Sequence, residues 1–197
     1  MEKENNENDS KVEEALVDYN RLYTYSDYLQ WDDDKRHELI DGVPYLMSAP
    51  SRRHQKLLGK LFIQFDTLLK GKTCEVYFAP FDVRLNADTL DNTVVQPDLL
   101  IVCDKAKLDD AGCKGAPDMV VEILSPSTSR HDRILKFKTY LKSGIGEYWI
   151  IDPETSTLAV HILKDGDYII HPYAAEDTVP VHILEGCTIN LSEVFEE

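Results

Sequence analysis

Long apolar runs, paired cysteines and positive charge are what this sequence has least of. No apolar stretch approaches the roughly 20 residues that a helix needs to cross a bilayer, so no contact with a membrane is expected. The four cysteines, Cys74, Cys103, Cys113 and Cys187, are scattered, with no C-x-x-C spacing. That argues against a zinc site. With Cys103 and Cys187 in apolar strand-like runs, free buried thiols are the expectation. The N-terminus is acidic and polar, the reverse of a signal or transit peptide, and a cytoplasmic location is the default that follows. Lysine and arginine number 21 against 36 acidic residues, a net charge of -15. Such a chain should be soluble and repel polyanions on average, which counts against a nonspecific nucleic-acid coat protein. An enzyme acting on nucleic acid is not excluded, because its basic groups can be gathered in one cleft and its carboxylates masked by metal.

What is present fits one ordinary domain with a short extension. The 197 residues, 43% of them apolar, suffice for a core without help from disulfides or structural metal. Residues 1–20 are rich in Glu and Asp and poor in apolar side chains; they read as a solvated tail, helical from about Ser10 at most. The domain then occupies residues 21–197. Ser26 suits the N-cap of a short helix carrying Tyr28, Leu29 and Trp31. In "HELIDGVPYLM", Asp41-Gly42 between apolar runs signals a hairpin. A helical pattern follows Ser51, with Leu57, Leu58, Leu61, Phe62, Phe65 and Leu69, and closes at Gly71. The runs "CEVYFA", "FDVRL", "TVVQPDLLIVC" and "DMVVEILS" read as strands. A helix is expected from about Ser129 to Lys142, then a strand at "EYWIID", a hairpin around Asp165-Gly166, and a last strand in "VHIL" or "CTINL". A helix between the runs at Val120 and Tyr148 allows a parallel crossover. The fold class is α/β, with a mixed central sheet flanked by helices and additional hairpins.

Chemistry concentrates between Gln96 and Tyr148. Pro97 is tolerated at a strand's start but not in a central strand's middle, so Asp98 sits where its strand opens onto a loop. In "PDMVVEILSPS", period-2 alternation puts Glu122 on the same face as Val120 and Leu124. A carboxylate there is costly to bury unless paired, protonated or metal-bound. Each acid has a bland reading: Asp98 as a turn or capping aspartate, Glu122 as a partner of a buried base or as an edge-strand residue facing water. Taken together, two carboxylates on neighbouring strands can converge on one hard cation. In the next helix, Ile134, Phe137 and Leu141 form the expected core stripe. Asp132, Lys136 and Tyr140 recur at i, i+4, i+8 beside it. The first two fit a surface ion pair; a lysine there can also reach along the sheet edge to a phosphate. His54, opening the long helix, fits a helix-end hydrogen bonder or a group facing substrate. Tyr148 and Trp149 read as core aromatics, and Ser125-Pro126-Ser127 as a loop shaping the next helix.

The run "QPDLLIV … PDMVVEILSPSTSRHDRILKFKTYLKSGIGEYWIIDP", with "HELIDG" and "SAPSRRHQKLLGKL" upstream, resembles the Uma family of restriction endonucleases, within the PD-(D/E)XK nuclease superfamily. The resemblance covers about Tyr23 to the C-terminus. It implies a restriction-endonuclease-like fold with a metal site at the open edge of the sheet. Carried over, Asp98 is the Pro-Asp aspartate, Glu122 the acid of the second motif and Glu38 the acid of the first segment. Leu124 stands where the superfamily's lysine is expected, which points to Lys136, or next to Lys138, as its replacement. The implied reaction is hydrolysis of phosphodiester bonds in a nucleic acid, DNA in first place. Asp98, Glu122 and the Ile123 carbonyl would hold Mg²⁺ or Mn²⁺. Lys136 would orient water or meet developing charge, and Glu38 would hold a second ion or an outer water. A homodimer suits cutting of both strands. The rival expectation, prompted by the charge of -15, is a binding or regulatory module that kept the fold and lost catalysis. A metal-dependent hydrolase of small phosphoesters is a third.

Overall fold

The computed structural model describes residues 17–125 and 131–196, without the side chains of 131–133. Residues 17–20, the described end of the expected tail, contain no helix, and Val17 packs beside Tyr23, Tyr25, Leu39 and Val94. The rest of that tail and residues 126–130 lie outside the described residues. Helix α1 (Tyr25–Tyr28) is capped by Thr24, not Ser26. Thr24 and Asp27 satisfy each other's amides in a capping box, and this reciprocal arrangement fixes where the helix begins.

Asp41 and Gly42 take φ of 48° and 82°, the left-handed pair that a type I′ turn requires. Strand β1 (His37–Ile40) therefore folds back on β2 (Val43–Leu46), with Ile40 opposite Val43. Helix α2 (Arg52–Leu69) begins at Ser51, whose hydroxyl accepts from the His54 amide, and buries Leu57, Leu58, Leu61, Phe65 and Leu69. Each such side chain contributes about 1.5–3 kcal/mol when fully buried. Short strands follow: β3 (Glu75–Phe78), β4 (Val83–Arg84), β5 (Val94–Val95), β6 (Leu99–Val102), β7 (Leu108–Asp109) and β8 (Gly112–Lys114). The run expected as one strand, "TVVQPDLLIVC", is thus two, and they lie in different sheets. Pro97 has no amide hydrogen for a ladder, and the chain crosses between sheets there.

Strand β9 (Met119–Ile123) leads through a π-helical segment (His131–Lys136) into α3 (Phe137–Ser143), then β10 (Glu147–Asp152). β9 and β10 pair in parallel, the expected crossover. The Asp165-Gly166 hairpin joins β11 (Thr157–Lys164) to β12 (Asp167–Ala174). β13 (Thr178–Pro180) and β14 (Thr188–Asn190) form a small antiparallel pair before α4 (Leu191–Phe195). "CTINL" therefore supplies the last strand, and "VHIL" supplies none.

The central sheet runs β12-β11-β10-β9-β6-β3, mixed because of its one parallel pair. A second sheet, β2-β1-β5-β4-β8-β7, was not foreseen as a unit. One face of the central sheet, through Leu99, Ile101, Val121 and Trp149, packs on α2 and α4. The other, through Leu100, Val120 and Tyr148, packs on Tyr140 of α3 and on Ile40, Val83 and Val95 of the second sheet. Tyr148 and Trp149 are fully buried, as expected. Among the described residues, no helix is long and apolar enough to cross a membrane.

The cysteine expectation needs correction. Cys74 and Cys103 form a disulfide, while Cys113 and Cys187 are free and buried. The antiparallel register pairs Glu75 with Val102, so one step outward Cys74 faces Cys103. Register across 29 residues of intervening chain is a tertiary property, and spacing along the sequence does not carry it.

Candidate active site

Asp98 lies at the mouth of the central sheet, where the chain has just left β5 and is about to enter β6. Leu99 pairs with Val121, so one step outward along the antiparallel register Asp98 stands opposite Glu122. Its Oδ2 accepts from the Ile123 amide at 2.8 Å and lies 3.0 Å from His54 Nε2. Its main-chain oxygen accepts from the Ala79 amide at 3.1 Å. One carboxylate oxygen thus accepts a main-chain amide from the neighbouring strand, not from a turn or a helix end, and the residue also lines a cavity of about 210 Å³.

Glu122 is 3% exposed, in the middle of the second-face core. Its Oε1 accepts from Lys136 Nζ at 2.8 Å and from the Tyr140 hydroxyl at 2.6 Å. Lys136 also reaches Glu38 Oε1 at 2.9 Å, and Glu38 Oε1 accepts from the Gln96 amide at 2.8 Å. A buried carboxylate without such partners would cost several kcal/mol, on the order of 3–5. Burial first, and then the negative charges of Glu122 and Glu38, push the Tyr140 hydroxyl well above its ordinary value. It stays protonated and remains a donor.

Lys136 and Tyr140 thus face inward, whereas Ile134 of the expected core stripe is 51% exposed. Phe137 and Leu141 of that stripe do pack against the core; Ile134 falls within the wide π-helical turn at His131–Lys136, out of phase with them. Lys138 is exposed and outside the cavity, and the Asp132 side chain lies outside the described residues. Leu124, in the slot of the missing lysine, is buried in the apolar core beside Val120 and Tyr140.

Two features of the site escaped the sequence reading. Gln96 is buried and acts as a hub: its Oε1 accepts from Arg36 Nη2 at 2.7 Å and Nε at 3.2 Å. Its Nε2 donates to Asp82 Oδ1 at 2.8 Å and to the Tyr28 hydroxyl at 3.0 Å. Burial raises the Asp82 carboxyl, and burial together with Asp82 raises the Tyr28 hydroxyl. The only sequence signal was a polar residue next to Pro97-Asp98. The second feature is the ring of His54. The helix-end bond is made by its main chain, and the imidazole reaches across to Asp98. His54 Nδ1 is buried and has no hydrogen-bond partner among the described residues.

The donor set suits a hard divalent cation. Among the described residues, no three His, Cys, Asp or Glu side chains form a ready-made metal cage. Mg²⁺ does not require one, because it binds through one or two carboxylates and keeps several waters. Asp98 and Glu122 supply oxygens on adjacent strands. The N–H and C=O of one strand residue point to the same side, so the Ile123 carbonyl faces the edge where its amide meets Asp98.

Comparison with known proteins agrees with this architecture. The curated protein slr1290 of Synechocystis sp., itself described as uncharacterized, is 32% identical over 155 residues, covering 77% of this chain and 80% of its own. A crystal structure of a putative nuclease belonging to DUF820 from Anabaena variabilis superposes with a TM-score of 0.71 at 18% identity. It covers 88% of this chain and 97% of that one, a likeness that shows the shared fold. The family model "Uma2: Putative restriction endonuclease" matches residues 25–192, from α1 into α4. The chain belongs to the Uma2 family of putative restriction endonucleases.

Proposed function

We propose that this protein is a Mg²⁺- or Mn²⁺-dependent endonuclease that hydrolyses phosphodiester bonds in DNA. One observation carries the reading: acids and a lysine from four separate segments converge on one cavity. They are Glu38 of β1, Asp98 of the inter-sheet junction, Glu122 of β9 and Lys136 ahead of α3. Asp98, Glu122 and the Ile123 carbonyl would hold the cation, which when bound supplies Lewis-acid polarisation of a phosphate oxygen and a water of lowered pKa. The Ile123 amide and His54 fix the rotamer of Asp98. Glu38 and Glu122 hold the Lys136 ammonium at the cavity wall, where it orients water or meets charge that develops on the phosphate. The Gln96 amide keeps Glu38 turned towards the lysine. Two copies related by a two-fold axis would serve cutting of both strands.

Purified Asp98→Ala and Glu122→Ala proteins should lose cleavage of duplex DNA with Mg²⁺ present. Cutting at the wild-type rate by either one overturns the assignment. A second reading, a binding module without turnover, is favoured by one observation: Lys136 already bridges two of the acids. Calorimetric titration with Mn²⁺ separates the two. Binding that Glu122→Ala abolishes supports the nuclease; no binding, or binding indifferent to that change, supports the module.

A further inference from the structure

We infer that Arg36 is the phosphate-gripping cation of this site and that Gln96 is the residue that positions it. The inference rests on the nuclease reading above and names how the substrate backbone is held.

Arg36 stands just ahead of β1, two positions before Glu38, and both line the cavity that contains Asp98, Glu122 and Lys136. The charge of Lys136 is divided between Glu38 and Glu122. His54 is turned onto Asp98. Arg36 differs from both. Its Nε and Nη2 donate to the side-chain oxygen of Gln96, a neutral acceptor, and no carboxylate among the described residues forms an ion pair with it. Asp82 belongs to the same network: it accepts from the Gln96 amide nitrogen, and the nearby Arg36 charge acts to lower its carboxyl without an ion-pair contact.

A glutamine in this place orients a guanidinium without cancelling its charge, which an aspartate or glutamate would do. Arginine's planar fork carries five N–H donors. Gln96 occupies the Nε edge, and the Nη1 edge makes no hydrogen bond among the described residues. That free edge has the geometry for two parallel hydrogen bonds to a phosphodiester. A cavity lined by three carboxylates in a chain of net charge -15 repels a polyanion unless one local cation is left uncompensated. Among the described residues that line the cavity, Arg36 is the cation that forms no ion pair. A fixed, partly dehydrated guanidinium also costs less to order on binding than a mobile surface lysine.

The test is binding of a short fluorescent duplex, followed by anisotropy across a salt series with Ca²⁺ replacing Mg²⁺ and strand integrity checked on a gel. Loss of one phosphate contact lowers the slope of log K against log salt by about 0.9. Arg36→Gln, with Arg36→Met as a second charge-removing variant, should lower the slope by that amount and weaken unrelated duplex sequences by similar factors. Arg36→Lys should keep the slope. Lys164→Gln removes one exposed charge at the distant β11–β12 hairpin and should leave slope and affinity as they are. A wild-type slope in folded Arg36→Gln or Arg36→Met overturns the role of Arg36 and leaves the nuclease reading standing. If wild-type protein binds no duplex at all, the nuclease reading itself falls, and this inference with it.

Discussion

The ammonium of Lys136 lies 2.8 Å from Glu122 Oε1 although the two residues come from different elements, and the same ammonium lies 2.9 Å from Glu38 of a different sheet. All three side chains are at least 96% buried. The lysine therefore ties the two sheets together at the site.

Removing that cation should unfold the protein as well as disable it. Lys136→Met leaves two carboxylates buried without their shared ammonium and should cost about 3–5 kcal/mol in urea denaturation. The triple variant Glu38→Gln, Lys136→Met, Glu122→Gln should recover most of that loss, since it also removes the two carboxylates that the lysine neutralises. A single Lys136→Met as stable as wild type would contradict the neutralising role.

His54 should act through Asp98. Its ring holds one carboxylate oxygen at 3.0 Å from the opening turn of α2. His54→Ala should reduce Mn²⁺ affinity by about 10–100-fold, the usual effect of losing a residue that orients a ligand. The Ile123 amide still restrains Asp98 in that variant, so the fold should survive. Calorimetric titration measures the change, and unaltered affinity would remove His54 from the site's support.

Acid should destabilise the protein through its buried histidines. His161 is 4% exposed, bonded to the Tyr148 carbonyl oxygen at 3.1 Å and packed among Tyr148, Phe137 and Tyr168. Burial lowers its pKa below 6.5, as it does for His37. A depressed folded pKa means that the contribution is complete above about pH 6.5 and is lost as pH falls through the folded value. Denaturation midpoints should therefore drop as the pH falls below about 6.5. His161→Phe, which keeps a ring but cannot charge, should flatten part of that slope. An unchanged slope would assign the effect elsewhere.

Gly112 should tolerate no side chain. Its φ is 135°, and a Cβ would stand 2.2 Å from the main-chain oxygen of Asp82, which also accepts from the Cys113 amide. Gly112→Ala should cost about 3 kcal/mol or more, combining backbone strain with displacement of Asp82. Because Asp82 holds Gln96, duplex binding should weaken too. Gly166→Ala, with a positive φ but open space around it, should cost only about 1 kcal/mol. Equal losses in the two variants would refute the close-approach argument.

Local chemistry made much of this protein legible in the sequence. The pairs Asp41-Gly42 and Asp165-Gly166 set two hairpins because few residue pairs accept two positive φ angles. Leucine and phenylalanine spacing fixed α2, and strand alternation put Glu122 on an apolar face, where a partner was required. The sequence motifs also marked Asp98, Glu38 and Lys136 as candidates. What only the tertiary structure decided depends on register and on phase. The split of one apolar run at Gln96-Pro97-Asp98 into strands of two sheets follows from competition between ladders that are distant in the chain. The burial of Lys136 follows from its pairing with Glu38 and Glu122 of two different sheets, which period counting cannot see. The Cys74–Cys103 bond and the Arg36–Gln96 fork join residues 29 and 60 positions apart. Such contacts form only once the sheets have folded, because the chain alone does not fix which side chains will face each other.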